Sequence, residues 1–174
     1  MHYNTEPDLV CCGKGISSGF PLGAVLGPKK VMDMPSIGSM SSTNSANPIA
    51  CAAGLSSLKA IVEDDLISNS QLLGNLFHQK LNDIKNKHPN HISHIMGKGL
   101  VAAIHFNDYS GNPLVELADK VCFDCMGKGL LVVRTGRESI KLAPPLCINE
   151  EALLEGLDVI KETINENINT EESK

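Results

Sequence analysis

One lysine, a run of hydroxyl side chains and a Cys-x-x-Cys pair are the groups whose types and spacing could carry chemistry in this chain. Lys14 follows the apolar run Leu9–Cys12 and Gly13, and precedes Gly15, Ser17, Ser18 and Gly19. The apolar run reads as a short buried strand. A strand of that kind delivers the lysine to one fixed point, and the glycines let a bulky ligand approach the backbone. A partly desolvated lysine loses its proton more readily than its free pKa of about 10.4 suggests. The neutral amine is then a nucleophile suited to forming a Schiff base with a carbonyl. The same spacing also fits a solvated turn lysine between two strands, and the residues alone leave both readings open.

The second group is Ser41-Ser42-Thr43-Asn44-Ser45-Ala46-Asn47-Pro48. Asn47 and Pro48 suit the N-cap and first position of a helix. A hydroxyl just ahead of a helix N-terminus makes an anion site, or the stretch is only a capping loop. Cys122 and Cys125 lie in a helical pattern with no second pair and no redox-type βαβ context, so no zinc or thiol-exchange site is expected there. Gly-Lys-Gly occurs three times, around Lys14, Lys98 and Lys128. None matches a P-loop, and Gly13-x-Gly15-x-x-x-Gly19 misses the dinucleotide fingerprint by one residue.

The elements that must position these groups follow from periodicity. Two short strands flank the Lys14 turn, and a helix runs from about Pro48 to Val62. A long amphipathic helix spans about Ser68 to Lys87, with Leu72, Leu76 and Leu81 expected in its core face. Ile92–Met96 leads through Gly97-Lys98-Gly99, expected as a helix-to-strand turn, into a strand Leu100–Phe106. A helix at about Leu114–Met126, strands Leu130–Val133 and Ile140–Leu142, and a last helix from the Asn149 N-cap to Ile164 complete the pattern. The tail Asn165–Lys174 is expected to fray. This order suggests a small α/β domain with helices on one face of its sheet.

The chain has 174 residues, 42% of them hydrophobic but only 3% aromatic, so its core is aliphatic. A net charge of −5 with scattered basic residues argues against a nucleic-acid or anionic-membrane surface. No apolar run approaches the roughly 20 residues that span a bilayer. Cys11, Cys12, Cys51 and Cys147 sit in apolar runs and read as reduced, buried cysteines of a cytoplasmic protein.

Taken together, Pro7–Gly27 and Ser41–Leu55 resemble two segments of the class III (omega-amino acid type) aminotransferases, which depend on pyridoxal 5′-phosphate. Lys14 falls on the family's cofactor-bonding lysine. Thr43, with Ser42 as the weaker match, falls on the hydroxyl that reaches the cofactor phosphate of the other subunit. Ala46 stands where the family often has glycine. Ser139–Ile148 resembles the late strand ending in Pro-Pro-Leu, where many members carry arginine at the position of Lys141 to hold a carboxylate. Lysine lacks the planar fork, so an ordinary exposed strand lysine is the reading for Lys141. The resemblance runs from about residue 2, beginning with His2-Tyr3, to about residue 165.

It implies the end of the large domain of a fold-type I transferase over residues 1–64, followed by the small C-terminal α/β domain over residues 65–174. It implies transamination between an omega-amino acid or diamine and a 2-oxo acid, with no metal, by a homodimer. The family's pyridine-pairing aspartate lies well upstream of the lysine, and only 13 residues precede Lys14. The chain is therefore expected to be the C-terminal part of such an enzyme. The alternatives are an inactive orphan fragment, a subunit needing an N-terminal partner chain, or a racemase or aminomutase on the same scaffold.

Overall fold

A computed structural model describes residues 5–172; His2 and Tyr3 lie outside the described residues. The chain is mixed α/β and divides into two compact units, Met1–Asp65 and Leu66–Lys174.

In the first unit, strands β1 (Val10–Cys12) and β2 (Ala24–Leu26) bracket a one-turn 3-10 helix, Lys14–Ser17. The strands pair antiparallel, with Val10 opposite Leu26 and Cys12 opposite Ala24. A short helix α1 (Lys29–Met32) and a long one, α2 (Pro48–Glu63), follow. The strand expected to be buried is not: Val10 is 41% and Leu26 58% exposed. A two-stranded ribbon covers neither of its own faces. For the same reason Cys11 is exposed and Cys12 only half-buried; Cys51 on α2 and Cys147 in the second unit are exposed as well, so the expectation of four buried thiols fails. Helix α2 starts where its cap dictates: the Asn47 Oδ1 accepts from the backbone N–H of Ile49 at 2.9 Å and of Ala50 at 3.4 Å, with Pro48 behind it.

The second unit runs α3 (Leu66–Lys87), β3 (Ile92–Lys98), β4 (Val101–Phe106), α4 (Val115–Gly127), β5 (Val133–Arg134), β6 (Ser139–Leu142) and α5 (Glu150–Glu172). The strands form one antiparallel sheet in the order β3-β4-β6-β5. Alternation places Ala102, Ile104, Phe106, Ile140 and Leu142 on the buried face. Phe77 and Leu81 of α3, Val121 of α4, and Leu157 and Ile164 of α5 complete one aliphatic core. On the opposite alternation Met96, Val101, Val133 and Lys141 are exposed.

Four expectations need correcting here. Gly97-Lys98-Gly99 closes a β-hairpin rather than a helix-to-strand turn, because Ile92–Met96 is itself strand. Leu72 is 70% exposed, and Leu73 takes the core position in register with Phe77 and Leu81. Only Val133 of the expected strand Leu130–Val133 is paired, together with Arg134. Helix α5 continues through the tail to Glu172, since Ile160, Ile164 and Ile168 keep one buried stripe. By contrast Gly129, at φ 84°, ends α4 as an αL glycine.

Burial pushes the Cys125 thiol pKa up, and the Cys122 Sγ donates to the Val132 carbonyl at 3.4 Å. The raised Cys125 thiol is not poised as a thiolate. Among the described residues no helix is long and apolar enough to cross a membrane.

Two predictions follow from this packing. A Cβ on Gly74 in α3 would meet the Gly99 Cα at 2.6 Å, backbone against backbone. Gly74→Ala gains about 1 kcal/mol of helix propensity but overpacks at a cost of about 1–3 kcal/mol, so a lower urea midpoint is expected. Glu138, just before β6, is held below the ordinary glutamate range by its own backbone N–H and by Arg137 and His105. Its contribution is present at neutral pH and is lost as pH falls through the depressed value. Glu138→Gln should therefore flatten the acid limb of a thermal-stability profile.

Candidate active site

Lys14 opens the 3-10 turn with a left-handed backbone, φ 51°. That conformation costs a non-glycine residue about 1–2 kcal/mol and persists only where the surroundings over-determine it. Gly13 precedes it in extended conformation and Ser18, also left-handed, ends the turn. The Ser17 side chain is fully buried and its hydroxyl donates to the Phe20 carbonyl. The Ser18 Oγ lies 2.6 Å from the Ser57 Oγ on α2. Gly54, one helical turn before Ser57, forms the seat of the turn. A Cβ there would stand 2.8 Å from the Leu22 Cδ2 and 3.5 Å from the Ile16 carbonyl oxygen. Lys14 itself is exposed, so this unit does not build the partly desolvated setting expected of it. Among the described residues its amine enters no salt bridge.

The hydroxyl loop is sorted by its hydrogen bonds. The Ser42 N–H donates to the Ser45 Oγ at 2.9 Å, and the two hydroxyls lie 3.0 Å apart, so Ser42 is committed to the turn. Thr43 is exposed, and no hydrogen bond among the described residues engages its hydroxyl. The expected anion site at the N-terminus of α2 is altered. Pro48 has no N–H, and Asn47 already occupies the donors of Ile49 and Ala50. Hydroxyls, not free helix donors, remain for an anion. Ala46 is left-handed at φ 52°, which is why glycine suits that position. No hydrogen bond joins Lys14 to Ser42 or Thr43 among the described residues.

Lys141 projects from β6 in the second unit, opposite Ala103 on β4 and Val133 on β5, and is exposed. Among the described residues no three metal-ligating side chains converge. Sequence reasoning missed Ser17, Ser18, Gly54 and Ser57. The Ser-Ser doublet was the visible signal, but its partner lies on a helix far along the chain.

The family model for class III aminotransferases matches residues 1–164. The chain belongs to the class III aminotransferases. A probable mitochondrial ornithine aminotransferase of Caenorhabditis elegans is 36% identical over 95% of this chain and 37% of its own length. An alanine/serine racemase of Pyrococcus horikoshii is 32% identical over 95% of this chain and 35% of its own. The crystal structure of an acetylornithine aminotransferase from Elizabethkingia anophelis superposes with a TM-score of 0.85 at 35% identity, covering 95% of this chain and 40% of that one. The chain thus spans little more than a third of the length of these relatives.

The class III aminotransferases depend on pyridoxal 5′-phosphate, and the residues present fit that group. Among the described residues the Lys14 amine is accessible and unpaired with any carboxylate. A Cβ at Gly13 or Gly15 would meet nothing within 4 Å, so the backbone beside the lysine is open to a planar ring. The Thr43 hydroxyl is unengaged and faces solvent.

The loop geometry generates a stability test. Ala46→Gly relieves a left-handed alanine and should raise stability by about 0.5–1 kcal/mol, net of the added unfolded-state entropy. Asn47→Ala uncaps α2 and should lower it by about 1 kcal/mol. Chemical denaturation monitored at the helix band measures both.

Proposed function

We propose that this chain carries the lysine-bearing part of a pyridoxal 5′-phosphate-dependent aminotransferase that moves an amino group from an omega-amino acid or diamine to a 2-oxo acid. The observation that carries the reading is Lys14, an exposed amine on a strained Gly/Ser turn in a chain of this family. Residues 1–64 are read as the end of the cofactor-binding domain and residues 65–174 as the small domain.

When bound, the cofactor supplies an electron sink for negative charge on the donor carbon. Lys14 would hold it through Nζ. The same Nζ, mobile on its four-carbon stem, would take the proton from the donor carbon and give it up again. Thr43 would donate its hydroxyl to the phosphate, with Ser42 backing the loop. Following the resemblance, Thr43 reaches the site of a second copy, so each chain contributes to two sites of a homodimer. Lys141 offers a point charge on the exposed face of the small domain's sheet, without the bidentate grip of arginine.

A second reading has a specific observation behind it: the racemase of Pyrococcus horikoshii matches this chain as well as several aminotransferases do. In that reading the Lys14 Nζ would take the proton from one face of the donor carbon, and a proton would return to that carbon on the other face. Incubating the full-length protein with one amino-acid enantiomer, with and without a 2-oxo acid, separates the two. Amino transfer needs the acceptor; racemisation does not.

Lys14→Ala should lower turnover by about a hundred- to ten-thousandfold, the range of a lost acid–base group, and remove the visible absorbance of covalently held cofactor. Turnover at the wild-type rate in that variant would sink the role. Thr43→Ala should weaken cofactor affinity by about tenfold or more, as for a hydrogen bond to a charged group, with Ser42→Ala showing little change. Equilibrium dialysis of the cofactor reads both.

A further inference from the structure

The turn that presents Lys14 does not hold itself. Its backbone hydrogen bonds are long: Ile16 N–H to Gly13 O at 3.3 Å, Ser18 N–H to Gly15 O at 3.2 Å, and Phe20 N–H to Ser17 O at 3.5 Å. Bonds of that length lie at or beyond the edge of the normal range, while Lys14 and Ser18 both sit at φ 51°. A one-turn 3-10 helix with two left-handed residues and a weak ladder relaxes unless something outside it prevents that. Two contacts reach out of the turn. One is the seat on Gly54, and the other is the 2.6 Å bond between the Ser18 and Ser57 hydroxyls. Both partners lie on α2, the helix that Asn47 caps just after the Thr43 loop. Pro48 and Ser57 are about 14 Å apart along the helix axis at 1.5 Å per residue. One rigid rod therefore carries the anchor of the lysine turn and ends at the hydroxyl loop.

We infer that Ser57, through Ser18, is a positioning residue that fixes where Lys14 presents its amine, with Gly54 as the seat. This rests on the reading of Lys14 as the cofactor lysine, and the test separates the two. The purified 174-residue chain and its Ser57→Ala, Ser57→Thr, Ser18→Ala and Ser18→Ala/Ser57→Ala variants are compared after circular dichroism confirms a common fold.

The first readout needs no cofactor. Amide exchange at Ser18 and Phe20 should quicken by about fivefold on losing the hydroxyl pair, the factor one hydrogen bond supplies. Ser57→Thr should restore it, and the double variant should be no worse than either single one. Unchanged exchange in both single variants overturns the inference.

The second readout is chemical. Each protein is incubated with pyridoxal 5′-phosphate, reduced with borohydride and peptide-mapped for label at Lys14 against Lys29 and Lys30. The wild type and Ser57→Thr should favour Lys14, and Ser57→Ala should lose most of that preference. A preference kept intact in Ser57→Ala overturns the positioning role. No preference in the wild type overturns Lys14 as the cofactor lysine and leaves the exchange result to decide the positioning role.

Discussion

Lys14 holds a left-handed backbone, and relaxation there would return about 1–2 kcal/mol. The first unit is organised against that relaxation. Its few buried positions, Ser17, Ala50 and Gly54, are small and lie where the lysine turn meets α2. Small residues allow the close approach that a larger pair would forbid, so the unit exchanges hydrophobic burial for precise placement. The Asn47 cap then fixes the start of the same helix. The Lys14 turn and the Thr43 loop thus depend on one element.

The second unit is built differently. Its sheet and three helices enclose a continuous aliphatic core, in which Ile104, Phe106, Ile140, Val121 and Ile164 are all but sealed from solvent. Burial of each such side chain contributes about 1.5–3 kcal/mol, which accounts for a fold set by alternation and helical stripes. The first unit has no comparable core and exposes Val25, Leu26, Ile49, Leu55 and Leu58. Little more than a third of the length of the relatives is spanned by this chain.

The chemistry of the hydroxyl loop shows how local competition narrows a site. A helix N-terminus is an anion trap only while its N–H groups are free. Here Asn47 consumes them and Ser45 consumes Ser42, so among the described residues Thr43 is left as an unengaged hydroxyl. At the other unit, lysine in place of arginine at position 141 leaves a charge without directional grip.

Periodicity, caps and turn residues in the sequence determined most of the elements, among them α2 from Asn47-Pro48 and α5 from Asn149. The Gly-Lys and Ser-Thr motifs carried the resemblance to the family and, through it, the candidate lysine and threonine; the residues alone left a turn lysine and a capping loop open as well. Tertiary structure alone decided that Gly97–Gly99 is a hairpin, that Leu73 rather than Leu72 faces the core, and that the last helix runs on through a polar tail. It also decided that Ser18 meets Ser57 across 39 residues and that the strand beside Lys14 lies open. Each of these depends on what packs or bonds from a distance, and local propensity holds no record of a partner far along the chain.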